Sequence, residues 1–150
     1  MTEDQGGPAG YDVSSDKARL DIDLIHGFLS TTYWAEGIPR DVVRRAIENS
    51  DCFGVYKGAR QVGFARVISD HATFAYLSDV FVLPEERGRG LAKWLVKTAM
   101  GEPAYANLRR WLLGTREAHG LYRQLGFIET PPGRFMEIRD VDVYRRMASR

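Results

Sequence analysis

The spacing of hydrophobic residues predicts two amphipathic helices in the first third of the chain. Apolar positions recur every three to four residues over residues 21–29 and again after Pro39, which places them on one face of each helix. Proline suits the first turn of the second helix, which we expect to end near residues 49–50. A short strand and turn over residues 11–20 precede the first helix. The inner faces would consist of Leu24, Ile25, Phe28, Val42, Val43, Ala46 and Ile47.

Shorter apolar runs in the middle of the chain predict three consecutive antiparallel strands. Residues 53–57 and 62–69 flank a turn at residues 58–61, which is the pattern of a β-hairpin. A second turn at residues 70–72 leads into a strand over residues 73–83. We therefore expect a three-stranded meander immediately before the glycine-rich part of the chain.

Beyond residue 90 the pattern returns to helical spacing and then alternates between helix and strand. The apolar face of the next helix would consist of Leu91, Trp94, Leu95, Thr98 and Ala99. A strand over residues 110–115 and a helix over residues 117–125 follow, and a final strand pair is predicted at residues 127–130 and 135–139. An antiparallel front half with mixed helices and strands behind it predicts the α+β fold class.

Length and composition indicate one globular domain. A chain of 150 residues with 44% hydrophobic and 27% charged residues is long enough for one core and too short for two ordinary domains. We expect the domain to span residues 11–150, because residues 1–10 are rich in glycine and acidic residues and resemble a disordered tail. There is no signal-peptide pattern or long apolar run, and Cys52 is the single cysteine, so a cytoplasmic location without membrane association is expected.

Charge and polar spacing argue against several functional classes. The formal net charge of +1 supplies little attraction to nucleic acid, so a nucleic-acid partner is not expected. Three histidines and one cysteine at scattered positions give no metal-ligand spacing, so no metal site is expected. The Gly-x-Ser-x-Gly motif of the Ser-His-Asp hydrolases is absent.

Residues 81–97 run from a hydrophobic strand through a glycine-rich basic turn into a helix. The first N–H groups of a helix lack intrahelical partners and lie at the positive end of the helix dipole, so they attract an anion. Gly88 and Gly90 let a phosphate approach the backbone, and Arg87 and Arg89 add positive charge. Neither the P-loop lysine nor the glycine spacing of a dinucleotide fingerprint is present. The turn is therefore a candidate phosphate site of another kind.

Two short motifs follow one another in the second half of the chain. The first is Arg87-x-x-Gly90-x-Ala92, and the second spans residues 118–127. They resemble the Arg/Gln-x-x-Gly-x-Gly/Ala and Tyr-x-x-x-Gly-Phe motifs of the GNAT superfamily of acyl-CoA-dependent N-acetyltransferases. The resemblance covers roughly residues 50–138 and includes the order of the two motifs.

The resemblance implies a fold and a cofactor. The fold would be a mostly antiparallel sheet of about six to seven strands, splayed in the middle and flanked by about four helices. The cofactor would be acetyl-CoA, with its pyrophosphate on the glycine-rich turn and its pantetheine arm along the free edge of the preceding strand. The implied cofactor-binding residues are Phe81, Val82, Leu83, Arg87, Gly88, Arg89, Gly90, Leu91 and Ala92. Thr115 and Glu117 are the substitutes for an Asn that the family often has before the second motif helix.

Two residues are candidates for proton transfer. The resemblance implies that Tyr122 faces the sulfur of the cofactor and acts as the general acid. Tyr122 also lies on the apolar face of the predicted helix, so a core tyrosine is the other interpretation. Asp79 lies two residues before Phe81, so strand alternation would put both on one face. Its carboxylate is a candidate general base, a candidate anchor for a cationic substrate, or a hydrogen-bond partner of a neighbouring loop.

The sequence gives fewer indications of the acceptor of the acyl group. Tyr33, Trp34 and Glu36 lie in a segment rich in hydroxyls and aromatic rings and are the candidate substrate-binding residues, while a packed loop under the sheet is the other interpretation. The sequence thus predicts an enzyme that transfers an acetyl or short acyl group to a primary amine of a small molecule or peptide within a ternary complex. A non-catalytic acyl-CoA-binding regulatory module is the alternative. Many proteins of this superfamily form dimers, which makes residues 135–139 a candidate contact for a homodimer.

Overall fold

The computed structural model describes residues 6–149 and is built around a five-stranded sheet. The strands are β1 (Tyr11–Ser14), β2 (Asp51–Lys57), β3 (Arg60–Ser69), β4 (Phe74–Val82) and β5 (Arg110–Leu112). The helices are α1 (Ile22–Leu29), α2 (Arg40–Glu48), α3 (Leu91–Met100), α4 (His119–Gln124) and α5 (Val143–Ala148). The α+β class and the order of elements up to residue 125 are confirmed.

The strands follow their sequence order across the sheet, and the first four are antiparallel. β5 lies parallel to β4 but pairs with it only at three positions, from Phe74 opposite Arg110 to Tyr76 opposite Leu112. Beyond Tyr76 the edge of β4 that faces β5 has no strand partner within residues 6–149. The expected splay in the sheet is therefore present, and it exposes the main chain of β4 just before the glycine-rich turn.

Helices cover both faces of the sheet. Side chains alternate between the two faces along β3, yet Val62, Phe64, Ala65 and Val67 are all completely buried. α1 and α2 pack against each other, and residues of both helices line a small cavity with Phe64. α3 packs over β2, β3 and β4 and buries five of its ten residues, Leu91, Trp94, Leu95, Val96 and Ala99.

A bulge in β4 interrupts the regular alternation of its side chains. Phe81 pairs with Phe64 and Ser78 pairs with Arg66. The single residue Ala65 of β3 therefore lies opposite two residues of β4, Asp79 and Val80. Asp79 has a φ of 55°, in the left-handed region, and its carboxylate contacts Arg66. Phe64 and Arg66 lie two residues apart on β3 and therefore point to the same face of the sheet. Phe81 pairs with Phe64, and Asp79 contacts Arg66, so Asp79 and Phe81 share that face. The bulge produces this arrangement, and simple alternation does not.

The predicted final strand pair is wrong. Residues 127–130 and 135–139 contain no strand, and most of their large apolar side chains are exposed, Met136 and Ile138 almost completely. β5 is only three residues long, so it offers little edge for another strand, and the segment 131–133, Pro-Pro-Gly, removes backbone donors. Within residues 6–149 the sheet accordingly has five strands where about six to seven were expected, and α5 is a helix that the pattern did not predict.

Part of the predicted tail, residues 1–5, lies outside the described residues. Gly7 contacts the ring of Trp94 so closely that a Cβ at this position would lie 2.2 Å from a ring carbon. The hydroxyl of Tyr11 donates to the carboxylate of Glu86, which ties β1 to the turn before α3. None of the helices in residues 6–149 has the length and apolar character needed to cross a bilayer.

Candidate active site

The glycine-rich turn offers a row of free backbone donors. Gly88 and Gly90 have φ values of 81° and 76°, which non-glycine residues rarely adopt, and Gly90 is the N-cap of α3. A Cβ on either glycine would meet no atom within 4 Å, so the backbone conformation is what requires glycine here. No N–H of residues 88–93 donates to any other residue that the structure describes. Six consecutive donors at the positive end of a helix form a cradle for an anion.

The charged residues of the turn are held by specific partners. Nε of Arg87 donates to the carbonyl of Val82 (3.1 Å), and Nε of Arg89 lies 3.5 Å from the carboxylate of Glu86. Glu86 is buried and also contacts Tyr11 and Lys57. The hydrogen bond from Tyr11, followed by the charges of Lys57 and Arg89, lowers the pKa of the Glu86 carboxyl. Glu86 thus stays ionised and fixes Arg89 beside the cradle.

A groove of about 280 Å³ joins the turn to α4. It is lined by Val82, Glu86, Arg87, Gly88, Gly90, Leu91, Ala92, Lys93, Leu121 and Gln124. The two sequence motifs, which are separated along the chain, therefore form opposite walls of one groove. We call the groove, the turn and the free edge of β4 the cofactor side of the site.

The predicted strand residues of the cofactor side present only their main chain. The side chains of Phe81, Val82 and Leu83 are buried, and the ring of Phe81 stacks on Phe28 of α1 at a centroid distance of 4.1 Å. Leu91 is likewise buried in the core. These residues fit a ligand that bonds to backbone N–H and C=O groups, as a pantetheine arm does.

Tyr122 lies in α4, beside the groove residue Leu121. Its side chain is 9% exposed, and its ring meets Phe127 edge to face at 5.8 Å. Burial, with a smaller contribution from the nearby Tyr33 hydroxyl, raises the pKa of Tyr122 to about 12. The phenol is therefore protonated throughout the physiological range.

Asp79 is bound by two partners on the α1 side of the sheet. One oxygen accepts from Nε of Arg66 (2.8 Å) and the other from Nε1 of Trp34 (2.9 Å). Nη1 of Arg66 also donates to the hydroxyl of Ser50 (3.0 Å). Of the three roles considered for Asp79, the hydrogen bond to a neighbouring loop is the one that the contacts display.

Tyr33 and Trp34 lie together beside Asp79 and Arg116. Their rings meet edge to face at 5.1 Å, and each ring is a little over 40% exposed. The backbone N–H of Arg116 donates to the Tyr33 hydroxyl (2.9 Å), and the Arg116 guanidinium lies 4.0 Å from the centre of the Tyr33 ring. We call Tyr33, Trp34, Arg66, Asp79 and Arg116 the acceptor side of the site.

The other predicted site residues are less involved. The hydroxyl of Thr115 accepts from the N–H of Ala118 (3.1 Å), so it is engaged within the turn that leads into α4. Glu117 and Glu36 are exposed, and neither forms an ion pair with a residue that the structure describes. The structure thus brings Tyr33, Trp34 and Asp79 together and leaves Glu36 outside their contacts.

Sequence reasoning missed three residues. Arg66 interrupts a strongly apolar strand, and this isolated charge was a signal that a buried partner exists. Glu86 is buried while its neighbour Glu85 is exposed, a difference that no local pattern reveals. Arg116 gave no signal, because its contact with Tyr33 joins residues 83 positions apart in the chain.

Comparisons with known proteins agree with this geometry. The family described as the acetyltransferase (GNAT) domain matches residues 48–129. An acetyltransferase-like protein of Gibberella zeae is 34% identical over 77% of this chain and 78% of its own length. The crystal structure of a GNAT-family protein from Xanthomonas campestris pv. campestris is 52% identical, covers 93% of this chain and 99% of that one, and superposes with a TM-score of 0.85. A structure from Clostridium acetobutylicum determined with acetyl-CoA is 17% identical over 86% of this chain and 94% of that one, and shares the fold with a TM-score of 0.63.

Proposed function

Because the chain belongs to the GNAT acetyltransferase family, we propose that it transfers the acetyl group of acetyl-CoA to a primary amine. The acceptor would be a small molecule or peptide, and transfer would be direct while both substrates are bound. The observation that supports this most strongly is the groove that joins the free N–H groups of residues 88–93 to the helix of Tyr122. The cytoplasmic setting expected from the sequence remains part of the proposal.

The cofactor side has the donors that acetyl-CoA requires. The free N–H groups of the turn would hold the pyrophosphate, and Arg87 and Arg89 would add charge on either side of Gly88. The unpaired edge of β4 would bond the pantetheine amides as an added strand does. When bound, acetyl-CoA supplies an acetyl group activated as a thioester. A backbone N–H on the same edge would polarise the acetyl carbonyl, and it is already oriented because the strand is fixed by β3.

Tyr122 would return a proton to the sulfur as the thiol leaves. With its pKa at about 12, the phenol retains its proton until the departing sulfur becomes strongly basic. The burial that weakens this acid would also raise the proton affinity of a thiolate in the same place. Tyr122 therefore suits a proton transfer that occurs late, at the departing sulfur.

Asp79 would act chiefly by positioning. Its two oxygens already accept hydrogen bonds from Arg66 and Trp34, so it holds the aromatic pair of the acceptor side in place. We therefore propose that the amine loses its proton to solvent near the mouth of the site, with Asp79 orienting the wall that the amine contacts.

Calorimetric titration with acetyl-CoA tests the cofactor assignment, with ATP and NAD as phosphate-bearing controls. We expect micromolar binding of acetyl-CoA alone, because only this ligand combines a pyrophosphate with an arm that reaches the β4 edge. Absence of acetyl-CoA binding would contradict the proposal. Binding without release of free thiol in the presence of any amine would instead favour the regulatory-module alternative.

A homodimer remains a prediction. Residues 128–141 expose Ile128, Phe135, Met136, Ile138 and Val141, and β5 has an open outer edge within the described residues. A second copy of the chain would cover this apolar segment. Light scattering coupled to gel filtration distinguishes the two states, and a monomeric mass at high micromolar concentration would contradict the prediction.

A further inference from the structure

Arg116 is an exposed cation that the fold attaches to the acceptor side. Its backbone N–H donates to the Tyr33 hydroxyl, and its guanidinium carbon lies 4.0 Å from the centre of the Tyr33 ring. Tyr33 meets Trp34 edge to face, and Trp34 donates to Asp79 in β4. Arg116 is therefore the outermost member of a chain of contacts that leads to the splayed edge of the sheet.

Stacking leaves the hydrogen-bonding edge of Arg116 open. A guanidinium that lies over a ring uses the face of its plane, whereas its five N–H donors point outward within that plane. Within residues 6–149 no side-chain donor of Arg116 bonds to an acceptor, and no carboxylate lies at ion-pair distance from it. The side chain is thus oriented by Tyr33 but has no anionic partner.

The charge of Arg66, the other arginine of the acceptor side, is already neutralised. Arg66 and Asp79 form an ion pair of 2.8 Å that is largely buried, so together they present no net charge to a ligand. On the cofactor side, Nε of Arg89 lies 3.5 Å from the carboxylate of Glu86, and half of the Arg89 side chain is exposed. Arg116 differs from both because it is exposed and has no ion-pair partner within residues 6–149.

On the basis of the proposed function, we infer that the acceptor amine also carries a carboxylate, which binds to the open edge of Arg116 while Tyr33 holds the guanidinium plane. One guanidinium matches one carboxylate in charge and in its paired hydrogen bonds. Arg66 is already paired with Asp79, so the acceptor side offers no second free arginine to balance a doubly charged phosphate. The acceptor class is therefore an amino acid or a related amino carboxylate.

Matched pairs of amines that differ only in the carboxylate test this inference. Suitable pairs are lysine with cadaverine, phenylalanine with phenethylamine and alanine with ethylamine, and phosphoethanolamine provides a phosphate arm. Release of free thiol from acetyl-CoA gives kcat and KM for each amine. We expect kcat/KM to be about tenfold to 100-fold higher for the carboxylate member of at least one pair, the range that charge-assisted hydrogen bonds supply.

Substitution of Arg116 separates recognition from general damage. Arg116→Met should raise KM for the preferred amino carboxylate about tenfold to 100-fold, a larger factor than for the matching plain amine, with kcat for the amino carboxylate little changed. Arg116→Lys keeps the charge but loses the paired geometry, so it should give an intermediate KM. Arg109→Met is the control, because Arg109 is exposed at the opposite end of β5 beside Thr73.

Several outcomes would overturn the inference. Equal kcat/KM for both members of every pair would contradict it, and so would an equal loss for both members of a pair in Arg116→Met. A preference for phosphoethanolamine that depends on Arg116 would replace the carboxylate with a phosphate. Failure of every amine to react, with acetyl-CoA still bound by calorimetry, would reject the acceptor class and leave the cofactor assignment standing. Loss of acetyl-CoA binding by the wild-type protein would instead reject the proposed function itself.

Discussion

The cofactor side and the acceptor side of the candidate active site are constructed in different ways. The cofactor side uses consecutive backbone groups of residues 88–93 and the main chain of one strand. The acceptor side uses side chains from four separate parts of the chain, which meet through the contacts of Asp79 with Trp34 and Arg66 and of Tyr33 with Arg116. Backbone groups of consecutive residues can form one side of a site wherever the turn forms, whereas the other side depends on four side-chain positions that only the tertiary fold brings together.

The largest expected effect concerns Tyr122, which lies between the two sides. Tyr122→Phe should lower kcat about 100-fold or more, because the substitution removes the phenolic hydroxyl that would donate the proton and keeps the ring. Acetyl-CoA affinity should be unchanged, since the ring and its contact with Phe127 remain. Steady-state kinetics with calorimetry measure both quantities, and Tyr144→Phe in α5 is the control. An unchanged kcat would show that Tyr122 is a core residue only.

A backbone substitution should damage the cofactor side alone. Gly90→Val places a branched residue at a φ of 76°, which would shift the turn and remove one or two of its free donors. We expect acetyl-CoA affinity to fall about tenfold to 100-fold by calorimetry. Gly133→Val is the matched control, because Gly133 has a φ of 75° and equal space around it but lies far along the chain from the turn. Equal losses of affinity in both variants would contradict the cradle.

A side-chain substitution should damage the acceptor side alone. Trp34→Phe keeps an aromatic ring but removes the Nε1 donor that bonds to Asp79. We expect KM for the amine to rise about threefold to tenfold, because Trp34 acts on the amine only through Asp79 and the effect is that of one ordinary hydrogen bond. Acetyl-CoA affinity should not change. If acetyl-CoA affinity falls as much as amine affinity, the two sides are not separate.

The smallest effect concerns stability at high pH. The pKa of Tyr122 is about 12 in the folded protein, whereas an unfolded tyrosine has a pKa of about 10. The folded state therefore holds this proton more tightly than the unfolded state does. The resulting contribution to the free energy of unfolding is complete below about pH 10 and is lost as the pH rises towards about 12. Burial also raises the pKa of Tyr56 to about 12, which adds to the same loss. Urea unfolding should show a smaller alkaline loss of stability in Tyr122→Phe than in the wild type, and equal losses would contradict this assignment.

The elements that the sequence predicted well are those with strong local patterns. α1 begins after Asp21, whose side chain accepts from the N–H of Leu24, and α3 begins at the glycine-rich turn. The hairpin of β2 and β3 also follows its turn residues closely. Each of these depends on hydrogen bonds and hydrophobic spacing within a few residues, so neighbouring positions are enough to specify it.

The C-terminal segment shows where local pattern fails. Alternation over residues 135–139 was sufficient to predict a strand, but a strand exists only when another strand offers it an edge. β5 is too short to do so within the described residues, and the segment stays irregular. Within the described residues no strand pairs with this apolar segment.

The same distinction between local pattern and tertiary contacts applies to the candidate site. By itself the sequence determined the glycine-rich turn and the two motifs, because each motif is contiguous and Gly88 and Gly90 meet a local requirement for positive φ. Only the tertiary structure decided that a bulge directs Asp79 towards Trp34, that Glu86 is buried behind Arg89, and that Arg116 stacks on Tyr33. These contacts join residues far apart in the chain, and their partners are chosen by the packing of the whole sheet and its helices.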